Sequence, residues 1–416
     1  MSKIKVFYWF QQVGRIGEIA HRIPKVRNLY PEDQYDLMLV LPARDFAETA
    51  NPAVLEMVCR GVNTCFVPGI EQAQALYNQA KAEDARTVWV NPDAASTMLE
   101  FLVKFQDRPK SYHASLNEEE LEKGRRLRER MGIPYNAPIV TFHVRESGYL
   151  QGMEYHDYRN ANIQNYFYAL IHLIKKGYWI IRLGDSSMQR LKDPPERLID
   201  APFHQDYEPF FEPYFIASSR FYLGMPSGPS MVAEALQVPQ LMTNYPYSVL
   251  SSENPGDLFV YKKYFSQQLG RALTYEEILC GPALDFNRAY LFEDAEITVI
   301  ENSPTEILAA VWEMETRLTG QYPFMAEAEV NEKWARSIQK KSHLLRQHLI
   351  TKDHYPRAPC NSSFMQKGKI SNEFIRLNPG FLGHRFPEVA WGFHSRTKGL
   401  PSGMEAFYRE RVQGGL

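Results

Sequence analysis

The chain has 416 residues, 44% of them apolar and 23% charged, with a formal net charge of -2. That length allows two or more domains, and that balance is typical of a soluble globular protein. The near-neutral charge lacks the basic bias of a nucleic-acid binder. Four scattered cysteines, Cys59, Cys65, Cys280 and Cys360, form neither a disulfide framework nor a zinc signature, so a reducing cytoplasm is the expected compartment. The apolar run at the N-terminus is too short for a signal peptide, and no run reaches the roughly 18 residues of a membrane span.

Residues 4–10, IKVFYWF, are β-branched and aromatic and predict a first strand. Gly14 and Gly17 follow in a loop that opens a helix around 18–23. Strands are expected at 35–41, 64–67 and 87–90, with helices at 51–61 and 70–82 between them. This alternation predicts a mostly parallel sheet over roughly the first 110 residues. The polar stretch 107–115 reads as a linker. Asn117 caps a charged helix whose acidic start and basic end suit the helix dipole. A second series then follows: strand 139–144, helix 160–176 with Asn160 as its N-cap, strand 179–183, a short aromatic helix at 207–218, strand 220–223, helix 230–236, a last short strand 240–243, and a closing helix 304–318. Two similar α/β halves predict two domains facing across a cleft. The expected divisions are 1–112, an acceptor-side domain, and 113–321, a nucleotide-binding domain. The third, 322–416, is an extension packing back on the first domain. Within that extension, 334–350 reads as a basic amphipathic helix with Trp334, Ile338, Leu345 and Leu349 along one side. It is expected either to pack on the first domain or to touch a membrane surface.

Ligands of open α/β sheets bind outside the carboxyl ends of the strands. Two such ends stand out. The first is His143 and Arg145, on one face at the end of strand 139–144. The planar fork of an arginine matches phosphate oxygens, so Arg145 reads either as a diphosphate ligand or as a structural ion pair with Glu146 or Asp185. His143 reads as a phosphate or sugar contact, or as a buried imidazole satisfied by a carbonyl. The second is the turn 224–230, where Ser227, Gly228 and Ser230 open a helix. Small residues there either cradle an anion or simply cap the helix. Glu234, one turn on, reads as a ribose or sugar contact or as an exposed glutamate. In RLGDSS, Arg182 lies in another buried strand and Asp185 follows it, and Asp185 reads as a base or ribose contact or a turn former. Arg159 reads as a second phosphate or sugar contact. In GRIGEIA, Glu18 or His21 could serve as the base that deprotonates an acceptor hydroxyl, against the reading of Glu18 as a favourable charge at a helix start. No HxxH, HExxH, DxD, GxSxG or GxxxxGK[ST] pattern occurs, so arginines and helix ends, rather than a metal, are expected to hold a diphosphate.

HVRES, YRNANIQNY, IIRLGDSS and RFYLGMPSGPS…VPQLMTNYP, with GRIGEIA upstream, resemble a bacterial family of glycosyltransferases from surface-glycan gene clusters. The resemblance spans most of 14–318 and is clearest over 139–246. It implies a GT-B fold, two Rossmann-like domains with the donor held mainly by the second. More distantly, three of the stretches are similar in order to motifs of the α1,6- and protein O-fucosyltransferases. That likeness implies Arg145 as the diphosphate arginine, Asp185 in the middle motif, and Ser227 and Ser230 in a serine turn. HVRES lacks the paired arginines and GDSS is not TDD, so GDP-fucose is not implied as donor. The expected function is sugar transfer from a nucleoside-diphosphate-sugar, used as donor substrate with no cofactor, to a surface-glycan, lipid-linked or protein acceptor. The alternatives are a sugar-nucleotide epimerase or a non-catalytic binding protein of glycan assembly.

Overall fold

The computed structural model describes residues 2–91, 112–146, 154–248, 254–350 and 367–383. The expected linker residues 107–111 and tail residues 356–366 and 384–416 lie outside these. So do the side chains of Leu345 and Leu349.

The first sheet is built from β1 (Ile4–Trp9), β2 (Tyr35–Leu41), β3 (Asn63–Phe66) and β4 (Val88–Val90), interleaved with α1 (Ile16–Leu29), α2 (Pro52–Cys59) and α3 (Ile70–Glu83). All its pairings are parallel, in the order β3-β2-β1-β4. Alternation along β1 explains its unbroken apolar run. Val6, Tyr8 and Phe10 face the main core, while Phe7 and Trp9 join a smaller cluster with Ala73 and Ala80 of α3. A strand covered on both faces has no polar side to show.

The second layer follows α4 (Glu118–Arg130), which Asn117 and Glu120 start with a reciprocal capping box. Next come β5 (Ile139–His143), α5 (Phe167–Lys175), β6 (Trp179–Arg182), β7 (Leu198–Asp200), α6 (Phe211–Ala217), β8 (Ser219–Gly224), α7 (Gly228–Ala235), β9 (Gln240–Tyr245) and β10 (Leu258–Tyr261). A small antiparallel sheet of β11 (Lys263–Ser266), β12 (Arg271–Ala272) and β13 (Ile297–Ile300) comes with α8 (Tyr275–Cys280) and α9 (Ala289–Asp294). The chain continues through α10 (Pro304–Leu318), α11 (Ala326–Ile350), β14 (Lys369–Ile370) and α12 (Asn372–Leu377). The second parallel sheet has seven strands, ordered β14-β10-β9-β8-β5-β6-β7.

Three expectations change. The described part of the C-terminal stretch packs on the second sheet, not the first: β14 extends it beside β10, α11 lies on α8, and α12 lies on α10. The helix expected at 160–176 begins only at Phe167, after single helical turns at Glu154–Arg159 and Ile163–Tyr166. Asn162, not Asn160, caps the second of these. Where a cleft was expected, α1 and α7 are in direct contact. A Cβ on Gly17 would stand 3.1 Å from Gly228 Cα, and one on Gly228 would stand 2.4 Å from Ile16 Cγ2. Only glycine allows backbones this close.

A second seam joins the layers at α6. Glu212, 4% exposed, accepts from Tyr207 Oη at 2.9 Å and from Asn51 Nδ2 at 3.2 Å, and Asn51 is the N-cap of α2. Burial pushes its carboxyl up from 4.5 to about 7. The folded state therefore holds this proton more tightly than the unfolded chain does. The stabilisation is full below pH 4.5 and is lost as pH rises to about 7, a change of about 3 kcal/mol. Urea unfolding at pH 5 and pH 8 is expected to show this fall in the wild type and its disappearance in Glu212→Gln. Equal slopes in the two proteins would show that Glu212 ionises normally.

Candidate functional site

The C-terminal ends of β5, β6 and β8 lie side by side, since His143 pairs with Gly224 and Phe142 with Arg182. The chain leaving β5 therefore runs next to the turn leaving β8. Arg145 Nε donates to Asn160 Oδ1 at 3.1 Å, and the Arg145 carbonyl accepts from Ala161 N at 3.2 Å. Arg159 Nη2 donates to Pro226 O at 3.0 Å. Arg145, Arg159 and the turn 225–228 are thus brought to one place across adjoining strand ends.

The segment YRNANIQNY is a strap over these ends, and its polar residues have partners. Asn160 bonds Arg145 and also donates Nδ2 to Asp157 at 2.7 Å. Lys262, 2% exposed just past β10, donates to Asn160 O at 2.5 Å. Burial brings its amine down to about 8. Glu301 accepts from Asn162 N at 2.8 Å. Tyr166 Oη meets Thr243 Oγ1 at 2.7 Å and accepts from Asn244 Nδ2 at 2.9 Å. Every link but the last fixes backbone or an amide close to Arg145, so the strap orients that guanidinium.

His143 Nδ1 donates to Leu183 O at 3.0 Å, a carbonyl that can only accept. This fixes the tautomer and leaves Nε2 as an acceptor. Desolvation lowers the imidazole to about 4, so it is neutral at pH 7. Asp185 forms a turn, accepting from Ser187 N at 2.8 Å after Gly184, whose φ of +147° excludes a side chain without strain.

Several expected ligands have structural work instead. Arg182 has no exposed side-chain surface. It binds Glu146 at 2.7 Å and Asp200 at 2.9 Å, so the expected partner of Arg145 pairs with Arg182. Ser230, also fully buried, accepts from Ser227 N at 3.1 Å and donates to Ser227 O at 2.8 Å. Ser227 Oγ donates to Met225 O at 3.0 Å. The two hydroxyls shape the turn, and a ligand would meet its backbone. Glu234 faces α1, not the turn, and accepts from Lys25 Nζ at 2.8 Å. His21 lies beside it in the same helix seam, 7% exposed, with Nδ1 3.1 Å from Lys25 Nζ. Burial, then Lys25 and Arg22, hold its pKa well down. A sealed imidazole cannot take a proton from an acceptor. Glu18 pairs with Arg22 and keeps 31% of its side chain exposed.

Three residues of the site escaped the sequence reading: Arg15, His156 and Arg288. Arg15, exposed, is the N-cap of α1, just before the Gly17–Gly228 contact. Arg288, the N-cap of α9, stands 4.7 Å over the Tyr155 ring, which lies 4.3 Å from the His156 ring. Partial burial, then the fields of Arg159, Arg288, Arg145 and Arg15, bring His156 down to about 4. Among the described residues no carboxylate pairs with Arg15, Arg159 or Arg288, and the buried His156 Nδ1 and Arg159 Nε have no hydrogen-bond partner. Also among them, no cluster of three or more His, Cys, Asp or Glu could hold a metal. No helix there is long and apolar enough to cross a membrane. The basic helix α11 buries Ala335 and Ile338 and donates from Ser342 Oγ to Leu279 O at 2.7 Å, so it is packed on α8.

No family model matches the chain, and no curated protein does. Among solved structures it is similar to a glycosyl transferase family 9 protein of Veillonella parvula. The identity is 11% and the TM-score 0.39, over 57% of this chain and 80% of that one. It is also similar to the ADP-heptose lipopolysaccharide heptosyltransferase II of Escherichia coli, at 14% identity and a TM-score of 0.35 over 57% and 84%. A third is an Escherichia coli heptosyltransferase with ADP, at 12% identity and a TM-score of 0.32 over 62% and 91%. Likeness at this level assigns neither donor, acceptor nor activity.

Arg182→Met would remove the cation between Glu146 and Asp200 and leave their carboxylates only the backbone N–H groups of Gln189 and Leu191. Urea denaturation is expected to show a loss of about 3–5 kcal/mol. A loss below about 1 kcal/mol would show the pair to be solvated and Arg182 dispensable to the fold.

Proposed function

We propose that the protein is a glycosyltransferase that takes a sugar from a nucleoside-diphosphate-sugar and passes it to a hydroxyl of a glycan, a lipid-linked acceptor or a protein. The observation that carries the reading is the meeting of Arg145 and Arg159 with the turn 225–228 at adjoining strand ends. Two guanidinium forks beside a glycine-containing turn suit a diphosphate, which carries a charge on each phosphorus. In the reaction the bond from the anomeric carbon to the diphosphate oxygen breaks, and a bond to the acceptor oxygen forms. The bonding pair leaves with the diphosphate, where the guanidinium groups stabilise the growing charge. The reading assigns this to arginine, not to a metal. The neutral His143, with Nε2 as its acceptor nitrogen, accepts a hydrogen bond from a donor hydroxyl. Of the two bases expected in the first layer only Glu18 is exposed enough to receive the acceptor proton.

Thermal shift against a panel of nucleotide-sugars is expected to find one donor that stabilises the wild type. Arg145→Ala is expected to bind it about tenfold to a hundredfold more weakly, with its own melting temperature little changed. Unchanged affinity in the variant would end the assignment of Arg145. Conversion of the donor to a different sugar-nucleotide without any acceptor would point to epimerisation instead.

A further inference from the structure

We propose that Arg15 and Arg288, together with His156, form a second oxyanion subsite, and that it holds a phosphate group carried by the acceptor. The proposal rests on the donor reading above, which gives the diphosphate to Arg145 and Arg159. The two charges of that diphosphate match those two guanidinium groups. Arg15 and Arg288 are then left over. They come from the first residues of two different helices, one in each layer of the molecule.

Their placement is built. Tyr155 supports the Arg288 guanidinium from below, an arrangement that favours a cation over a ring face. The Gly17–Gly228 contact sets Arg15 beside the turn to which Arg159 is bonded. Gathering guanidinium groups that no carboxylate pairs among the described residues is unfavourable unless an anion joins them. His156, held neutral among them, has a buried Nδ1 without a partner among the described residues. A neutral imidazole can donate an N–H to an oxyanion. Arg15 is exposed and belongs to the first layer, the side from which an acceptor would approach. Two guanidinium groups and one N–H suit the tetrahedral oxygens of a phosphate.

Isothermal titration provides the test. The 416-residue chain is first saturated with inorganic pyrophosphate and then titrated with inorganic phosphate. The wild type is expected to bind phosphate a second time. In Arg288→Gln and in Arg15→Gln that second event is expected to weaken roughly tenfold or more, with pyrophosphate affinity within about twofold of wild type. Arg126→Gln, which removes one exposed charge elsewhere, is expected to change neither and controls for net charge. Absence of the second event in the wild type overturns the proposal, as does equal weakening of both anions by Arg288→Gln, because all four arginines would then serve one anion. If pyrophosphate fails to bind while phosphate binds and depends on Arg288, the donor reading falls and the oxyanion subsite stands.

Discussion

The site depends on a place where two backbones touch. Gly17 and Gly228 meet with no side chain between them, so the start of α1, in the first layer, lies against the start of α7, in the second. Below that contact Lys25 and Glu234 pair in the same seam with His21 beside them. A buried ion pair adds little net stability. It does fix which helix faces which, because sliding the helices would leave a lysine and a glutamate buried alone. The contact brings Arg15 to the edge where β5 and β8 end. Without it the cationic site would be missing the first layer's contribution.

Around that contact the molecule spends most of its polar side chains on geometry. Arg182 closes a carboxylate pair, and the serines of the turn bond to the turn itself. The strap from Glu154 to Tyr166 is tied down by Lys262, Glu301, Thr243 and Asn244. Arg15 stays exposed beside them, and Arg145, Arg159, Arg288, His143 and His156 are each partly buried. The two imidazoles are both low in pKa. Desolvation is the largest cause for both; the carbonyl bond of His143 works against it, whereas the arginines around His156 add to it.

The candidate site was partly legible in the sequence, and the division follows chemistry. Arg145, Arg159 and the turn at 227–228 were marked because each follows a strand or starts a helix, positions defined by local pattern. Arg182 ends a strand, β6, yet its side chain is buried where Asp200 and Glu146 meet it. Which way a side chain at a strand's end turns depends on partners 36 and 18 residues away. Glu234 and His21 were misplaced for the same reason: a helix shows its periodicity in sequence but not the helix it packs on. Arg15, His156 and Arg288 carried no pattern and became neighbours only through the fold.

The sequence alone determined the first sheet and the alternation of the second, because long buried strands and amphipathic helices write their period locally. β2 and α10 fall at 35–41 and 304–318, as the pattern predicts. Capping chemistry set the start of α4 just as directly. Tertiary structure decided the rest. Strands as short as β7, β10 and β14 exist only through the backbone partners they find across the sheet. The described C-terminal stretch chose the second sheet because an edge beside β10 remained to be paired there. The closeness of the two layers at α1 and α7, and with it the gathering of four arginines, came from packing between distant segments. No local pattern encodes such packing, since its energy appears only when both surfaces are already formed.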